Sequence, residues 1–132
     1  MKTKIFLNAP LSSLAEQKLN QEIERLITAH GFSCYTPQEI LPPGTGVGAS
    51  EIVKSNIDAL NQCDIILSVL DKPGLGVIFE LAYAYAKDKE IILLRTDKQD
   101  YLGKIIEGFW ERMPEERRAK SLADLEEILG RL

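Results

Sequence analysis

The sequence is poor in the residues that hold metals. It has one histidine, His30, and two cysteines, Cys34 and Cys63, with no Cys-x-x-Cys spacing. A Cys/His zinc site therefore has no ligand set to draw on. His30 stands before Gly31 at an expected helix end, where a cation is favoured, and the cysteines fall in apolar contexts that read as reduced core positions. The chain also lacks a basic face. Its net charge is -4 with acids and bases interleaved, which argues against a nucleic-acid partner. The one basic run, Arg117-Arg118-Ala119-Lys120, follows Glu115 and Glu116 and reads as solvated surface. No apolar run is long enough to cross a bilayer. The apolar part of the opening MKTKIFLNAP is too short for an export signal, so a cytoplasmic location is the expectation and no membrane partner is expected. There is no Gly-x-Ser-x-Gly elbow for a serine hydrolase. No acidic cluster follows the first expected strand, as a phosphoacceptor domain would require.

What is present is a regular alternation. At 45% apolar and 27% charged residues, 132 residues suit one globular domain spanning 1–132. Residues 4–8 read as a strand. Ser13-Leu14-Ala15-Glu16 matches a capping box and opens a helix to His30. Residues 32–36 read as a second strand, and a Pro- and Gly-rich loop follows from Pro37 to Gly48. Ser50 is the expected cap of a helix over 51–62. Residues 64–70 form a nearly unbroken apolar strand, as in the middle of a parallel sheet. A helix over 77–87, a strand over 90–95, a helix over 101–109 and a final helix capped by Ser121 complete the pattern, with a weak fifth strand somewhere in 109–120. The fold class is therefore α/β: a three-layer sandwich on a parallel, flavodoxin- or Rossmann-like sheet of four to five strands. Ligands are expected at the carboxyl ends of its strands.

GTGVGAS, residues 44–50, looks like a dinucleotide fingerprint. It follows Ile40-Leu41-Pro42-Pro43 rather than a strand, and its third glycine is misplaced, so it reads as a loop over the site. GLGVIFELAYAYA, residues 74–86, is more telling, because it sets one carboxylate in the most apolar helix of the chain. Glu80, Tyr83 and Lys87 at i, i+3 and i+7 fit a solvated stripe. Against that, buried strands flank the helix in sequence, and Gly74 and Gly76 allow close approach of a ligand. Glu80 in the first turn would also be held ionised by the helix dipole. A positioned, partly desolvated carboxylate is what a covalent nucleophile requires.

KIFLNAPL together with CDIILSVLDKPGLGVIFELAYAYAKDKEIILLRTD resembles the nucleoside 2-deoxyribosyltransferase family, which includes the 2'-deoxynucleoside 5'-phosphate N-hydrolases. The resemblance covers nearly the whole chain. It is sharpest in the Gly-x-x-x-Glu-x-Ala-Tyr-Ala segment around Glu80. It implies that Glu80 attacks C1' of a (deoxy)nucleoside or its 5'-monophosphate, and that the glycosyl ester is resolved by a second base or by water. No metal or organic cofactor is implied. The substrate-binding positions it implies are Phe6, Asn8, Ser12, Ser13, Gln38, Asn56, Asp71, Gly74 and Gly76. Phe6 keeps the ring of a family tyrosine without its hydroxyl, and Gln38 lies where some members read the base. Asn8, Ser12 and Ser13 lie on the loop that handles the sugar or its 5' end. Asp71, ending a strand, is expected to reach the cleft.

The chain also departs from the family. Asn56 stands where transferases carry an aspartate, and Gly74 where they carry an acid and the phosphate hydrolases a serine. Gly103 stands where the hydrolases present a serine from a neighbouring subunit. Two alternatives therefore accompany the glycosyl-transfer reading: an N-hydrolase of deoxynucleoside 5'-monophosphates proper, and a nucleotide-sensing module without turnover. The resemblance further implies a homodimer or larger homo-oligomer. Phe109, Trp110 and Met113 are candidates for its interface, with core packing an equal alternative for Trp110.

Overall fold

The computed structural model describes residues 2–37, 46–97 and 100–132. In chain order they form β1 (Lys4–Asn8), α1 (Leu14–Ala29), β2 (Ser33–Tyr35), α2 (Ala49–Gln62), β3 (Ile65–Val69), α3 (Leu75–Ala86) and β4 (Glu90–Leu94). These are followed by α4 (Lys104–Arg112), a short 3-10 turn at Glu115–Arg117, β5 (Arg118–Ala119) and α5 (Leu122–Arg131). All strand pairs are parallel and the sheet order is β2-β1-β3-β4-β5, as the alternating pattern predicts.

Strand parity divides the core into two layers, because successive side chains leave a strand on opposite faces. Ile5, Leu7, Ile65, Leu67, Val69, Ile92 and Leu94 meet Ile23 and Ile27 of α1 and Leu125, Ile128 and Leu129 of α5. Phe6, Ile66, Ile91 and Leu93 meet Leu60 of α2, Leu81 and Ala84 of α3 and Trp110 of α4 on the other face. The chain leaves β1 toward β2 on one side and re-enters at β3 on the other. The topological switch point thus lies between the carboxyl ends of β1 and β3, where such sheets place ligands.

Several local expectations are met. The capping box is complete: Ser13 Oγ accepts from Glu16 N at 3.1 Å and Glu16 Oε1 accepts from Ser13 N at 2.9 Å. Ser121 caps α5 through Asp124 N, and His30 caps α1 with its Nδ1 2.8 Å from Leu26 O. Neither cysteine is joined in a disulfide, and burial pushes the Cys63 thiol up to about 11, so it is unreactive at neutral pH. No helix of the described residues is long and apolar enough to cross a membrane.

Other expectations are corrected. α2 begins at Ala49 with Gly48, not Ser50, as its N-cap. α3 begins at Leu75, two residues earlier than its apolar run suggests, so Gly76 is helical and Glu80 lies in the second turn rather than the first. The dipole's grip fades beyond the first turn. α4 begins at Lys104 because Gly103, at φ +86, breaks the helical path. The basic run is not simply solvated. Ala119 is fully buried in β5, the Arg118 guanidinium lies 5.6 Å over the Trp110 ring, and Arg117 pairs with Glu90 at 2.5 Å. Trp110 is itself buried in the core.

Candidate active site

A cleft of about 480 Å³ opens at the switch point. Asn8, the last residue of β1, lies opposite Ser68 in register. Its Nδ2 donates to Ser68 Oγ and to Val77 O, both at 2.9 Å. One buried amide thereby ties β1, β3 and the first turn of α3 together, with both of its hydrogens spent. The loop after β1 is held from below by α1. Asn20 Nδ2 donates to Pro10 O and Gln17 Nε2 to Leu11 O, each at 3.0 Å, while Ser12 Oγ donates to Glu16 Oε1 at 3.0 Å.

Glu80 projects into this cleft from α3 beside Asn56 of α2. The carboxylate is half-buried, and its Oε2 is enclosed with no hydrogen-bond partner among the described residues. Burial raises its pKa to about 7, and a side-chain hydrogen bond with Asn56 pulls it part of the way back. Asn56 Oδ1 is likewise buried without a partner. Two enclosed acceptors side by side are costly unless a donor arrives. A ligand hydroxyl or N–H would satisfy them.

Of the residues expected at the site, the structure brings Asn8, Ser12, Asn56, Gly74, Gly76 and Glu80 to this one cleft. Three do not join them. Phe6 is fully buried beneath it, stacked on Tyr35 at 5.2 Å. Ser13 spends its hydroxyl capping α1. Asp71 turns away: its Oδ1 accepts from Thr96 N at 2.7 Å and Asp97 N at 3.1 Å, and its Oδ2 from Thr96 Oγ1. Gln38, and Gly44 of the glycine-rich loop, lie outside the described residues.

Residues that the sequence reading passed over also line the cleft, among them Gln17, Pro37 and Lys72. Tyr35 was missed as well. Its hydroxyl pKa is raised by burial and next by the charge of Glu80, so it lies within electrostatic reach of that carboxylate. Its only signal is the pairing Phe6↔Tyr35, which the sequence does not display.

A second, more apolar hollow of about 340 Å³ shares Asn56, Gly76 and Glu80 with the cleft and is otherwise lined by Ile52, Val53, Ile57, Leu75 and Phe79. Leu75 is 91% and Phe79 55% exposed, one helical turn apart on α3.

Comparison with known proteins gives consistent results. The family model described as nucleoside 2-deoxyribosyltransferase matches residues 5–123. A protein of Thermofilum pendens, provisionally assigned as 2'-deoxynucleoside 5'-phosphate N-hydrolase 1, is 27% identical over 140 aligned residues, covering 98% of this chain and 92% of that one. Among solved structures, a 2-deoxyribosyltransferase of Bacillus psychrosaccharolyticus superposes with a TM-score of 0.75 at 16% identity, covering 94% of this chain and 90% of that chain. The CMP N-glycosidase of Clostridium botulinum gives 0.65 at 18% identity, with 96% and 97% covered. At such identities the structural likenesses speak to the fold.

Proposed function

The chain belongs to the nucleoside 2-deoxyribosyltransferase family, whose named relatives act on N-glycosidic bonds, and on that premise we propose that it cleaves the N-glycosidic bond of a (deoxy)nucleoside or its 5'-monophosphate with Glu80 as nucleophile. A Glu80 carboxylate oxygen bonds to C1' as the C1'–N bond breaks. The bonding pair leaves with the base, which takes up a proton. Water or the nitrogen of a second base then attacks C1' and returns the free carboxylate. The observation that carries this reading is the enclosed oxygen of Glu80 in the switch-point cleft, without a hydrogen-bond partner among the described residues and with the carboxylate's pKa raised to about 7. A desolvated carboxylate is a stronger nucleophile than a hydrated one, and at neutral pH a large fraction of it is ionised. Asn56 orients the carboxylate and offers Oδ1 to a donor on the ligand.

The test is a chromatographic assay for free base. Each deoxynucleoside and each monophosphate is incubated with the protein, with and without a second base, beside a Glu80→Ala control. Release that needs Glu80 supports the reading. Exchange with the added base marks a transferase, and release without exchange a hydrolase. Release from no substrate contradicts it.

One observation favours the second reading, a nucleotide-sensing module: Asn56 cannot donate a proton to a departing base as a carboxylic acid can. Under that reading Glu80→Ala weakens ligand binding and there is no turnover to lose.

A second copy of the chain is the proposed cover for the apolar hollow. The hollow opens directly onto Asn56 and Glu80, so a partner seated on Leu75 and Phe79 would also shield the reacting groups from water.

A further inference from the structure

The cleft presents two acceptors whose needs can be counted. Glu80 Oε2 and Asn56 Oδ1 are both closed off from solvent, and neither has a hydrogen-bond partner among the described residues. Both side chains line the switch-point cleft and the apolar hollow beside it, so the pair stands where the two cavities meet. The other side chains of the cleft are committed elsewhere. The Asn8 amide has spent both hydrogens, Ser12 gives its hydroxyl hydrogen to Glu16, and the Gln17 amide is bonded to Leu11 O. Lys72, the remaining donor among the described lining residues, bonds to neither acceptor. Enclosed acceptors left bare cost more than a hydrogen bond gains, so the ligand has to bring the donors.

From this count we infer that Asn56 and Glu80 together select a 2'-hydroxyl, so that the site takes a ribose-bearing ligand in preference to its 2'-deoxy form. The inference rests on reading Glu80 as the nucleophile at C1'. In-line displacement brings the carboxylate to the face of the sugar ring opposite the base. In a β-ribonucleoside the 2'- and 3'-hydroxyls both project from that same face, and the 2'-oxygen stands on the carbon next to C1'. The N–H groups of the base lie on the other face, beyond the bond that breaks, and do not reach acceptors beside the nucleophile. Ribose therefore brings two donors to two acceptors. Deoxyribose brings one, its 3'-hydroxyl, and leaves one acceptor bare. The amide at position 56 keeps the selection independent of pH, because its oxygen accepts at every pH and never donates.

The test uses ligands that cannot be cleaved, so that binding is read on the wild-type chain. Pseudouridine and formycin join sugar to base by a carbon–carbon bond and cover a pyrimidine-like and a purine-like base. Calorimetry compares each, as nucleoside and as 5'-monophosphate, with its 2'-deoxy, 2'-deoxy-2'-fluoro and arabino counterparts. The ribo form should bind more tightly than all three, by roughly tenfold or more. The deoxy form has nothing to donate, fluorine fills space without a hydrogen, and the arabino hydroxyl points to the face of the base. Asn56→Leu, which keeps the volume and removes the acceptor, should cut the preference about tenfold. Should that variant fail to fold, the fluoro and arabino ligands on the wild-type chain carry the test. Equal binding of ribo and deoxy forms, a tighter deoxy or arabino form, binding of no ribo form, or a preference that survives Asn56→Leu overturns the inference. Base release is read separately. A ribo preference without base release sinks the enzyme reading alone, and Glu80-dependent release without that preference sinks this one alone.

Discussion

The molecule carries two cavities of nearly equal size at the carboxyl edge of its sheet, and they differ in what their carboxylates have left to do. The cavity by β4 and β5, about 500 Å³, holds Glu107. Arg95 grips that carboxylate through two hydrogen bonds, at 2.8 and 2.5 Å, and Leu102 N adds a third at 3.2 Å. The guanidinium holds the Glu107 pKa down to about 2. Arg95 spends a further N–H on Asp100 O at 2.5 Å and leans on Trp110 at 5.9 Å, while its Nε has no partner among the described residues. The cleft at β1 and β3, about 480 Å³, holds Glu80 with a bare oxygen and a pKa raised to about 7. Size does not separate the two. Unspent bonding capacity does, since a satisfied ion pair is structural and an unsatisfied carboxylate needs a ligand to justify its burial.

The sharpest way to break this comparison is to neutralise each carboxylate in turn. Glu80→Gln should reduce base release by a factor on the order of a thousand or more. Glu107→Gln should leave the rate per folded molecule within a few-fold and instead lower Tm. Steady-state kinetics and thermal melts on both variants decide it. Equal kinetic losses would erase the distinction.

The two carboxylates should also respond to pH with opposite sign. The folded pKa of Glu80, about 7, lies above its ordinary 4.5. Between those values the folded chain keeps a proton that the unfolded chain has lost, so stability falls as pH rises, by up to about 3 kcal/mol once pH exceeds 7. Glu80→Gln should therefore raise Tm by several degrees at pH 8 and severalfold less at pH 5. Glu107, depressed to about 2, contributes stability above its ordinary pKa that fades as pH falls toward 2. Melts across pH 3 to 8 test both signs.

Smaller effects sharpen the picture. Asn56→Asp places a second carboxylate beside Glu80, so the midpoint of the pH–rate profile should move up by about one unit. An unmoved midpoint would show that Asn56 does not face the reacting group. Phe79→Glu should weaken self-association about tenfold or more in sedimentation equilibrium, with little change in monomer Tm. Unchanged association would remove α3 from any interface.

The fold was legible because β1, β3 and β4 are short apolar runs with their own turn signals, and because Ser13-Leu14-Ala15-Glu16 and Ser121 mark helix starts chemically; β5, two residues inside a basic run, left only a weak pattern. The α3 start was less legible. Gly74-Leu75-Gly76 reads as a turn, yet Gly76 is helical and Leu75 is an exposed apolar residue that no pattern assigns to a face. At the site, Glu80 stood out as one charge in an apolar helix. Phe6 shares a face with Asn8 but sits one pleat deeper, roughly 7 Å down the strand, so it lies under the cleft rather than in it. Asp71 is adjacent in sequence to the cleft, but the β3–β4 pairing brings Thr96 and Asp97 within its reach and they capture it. Lys72 gave no signal, because a lysine in a turn looks like any solvated lysine until the cleft it lines is known.

The measurement that tests the central claim most directly is a rapid acid quench of the wild-type chain with substrate in single turnover, followed by peptide mass analysis. The account predicts a sugar adduct on the peptide containing Glu80, formed as fast as free base appears and absent in Glu80→Gln. Full base release with no modified peptide, undiminished in Glu80→Gln, would contradict it.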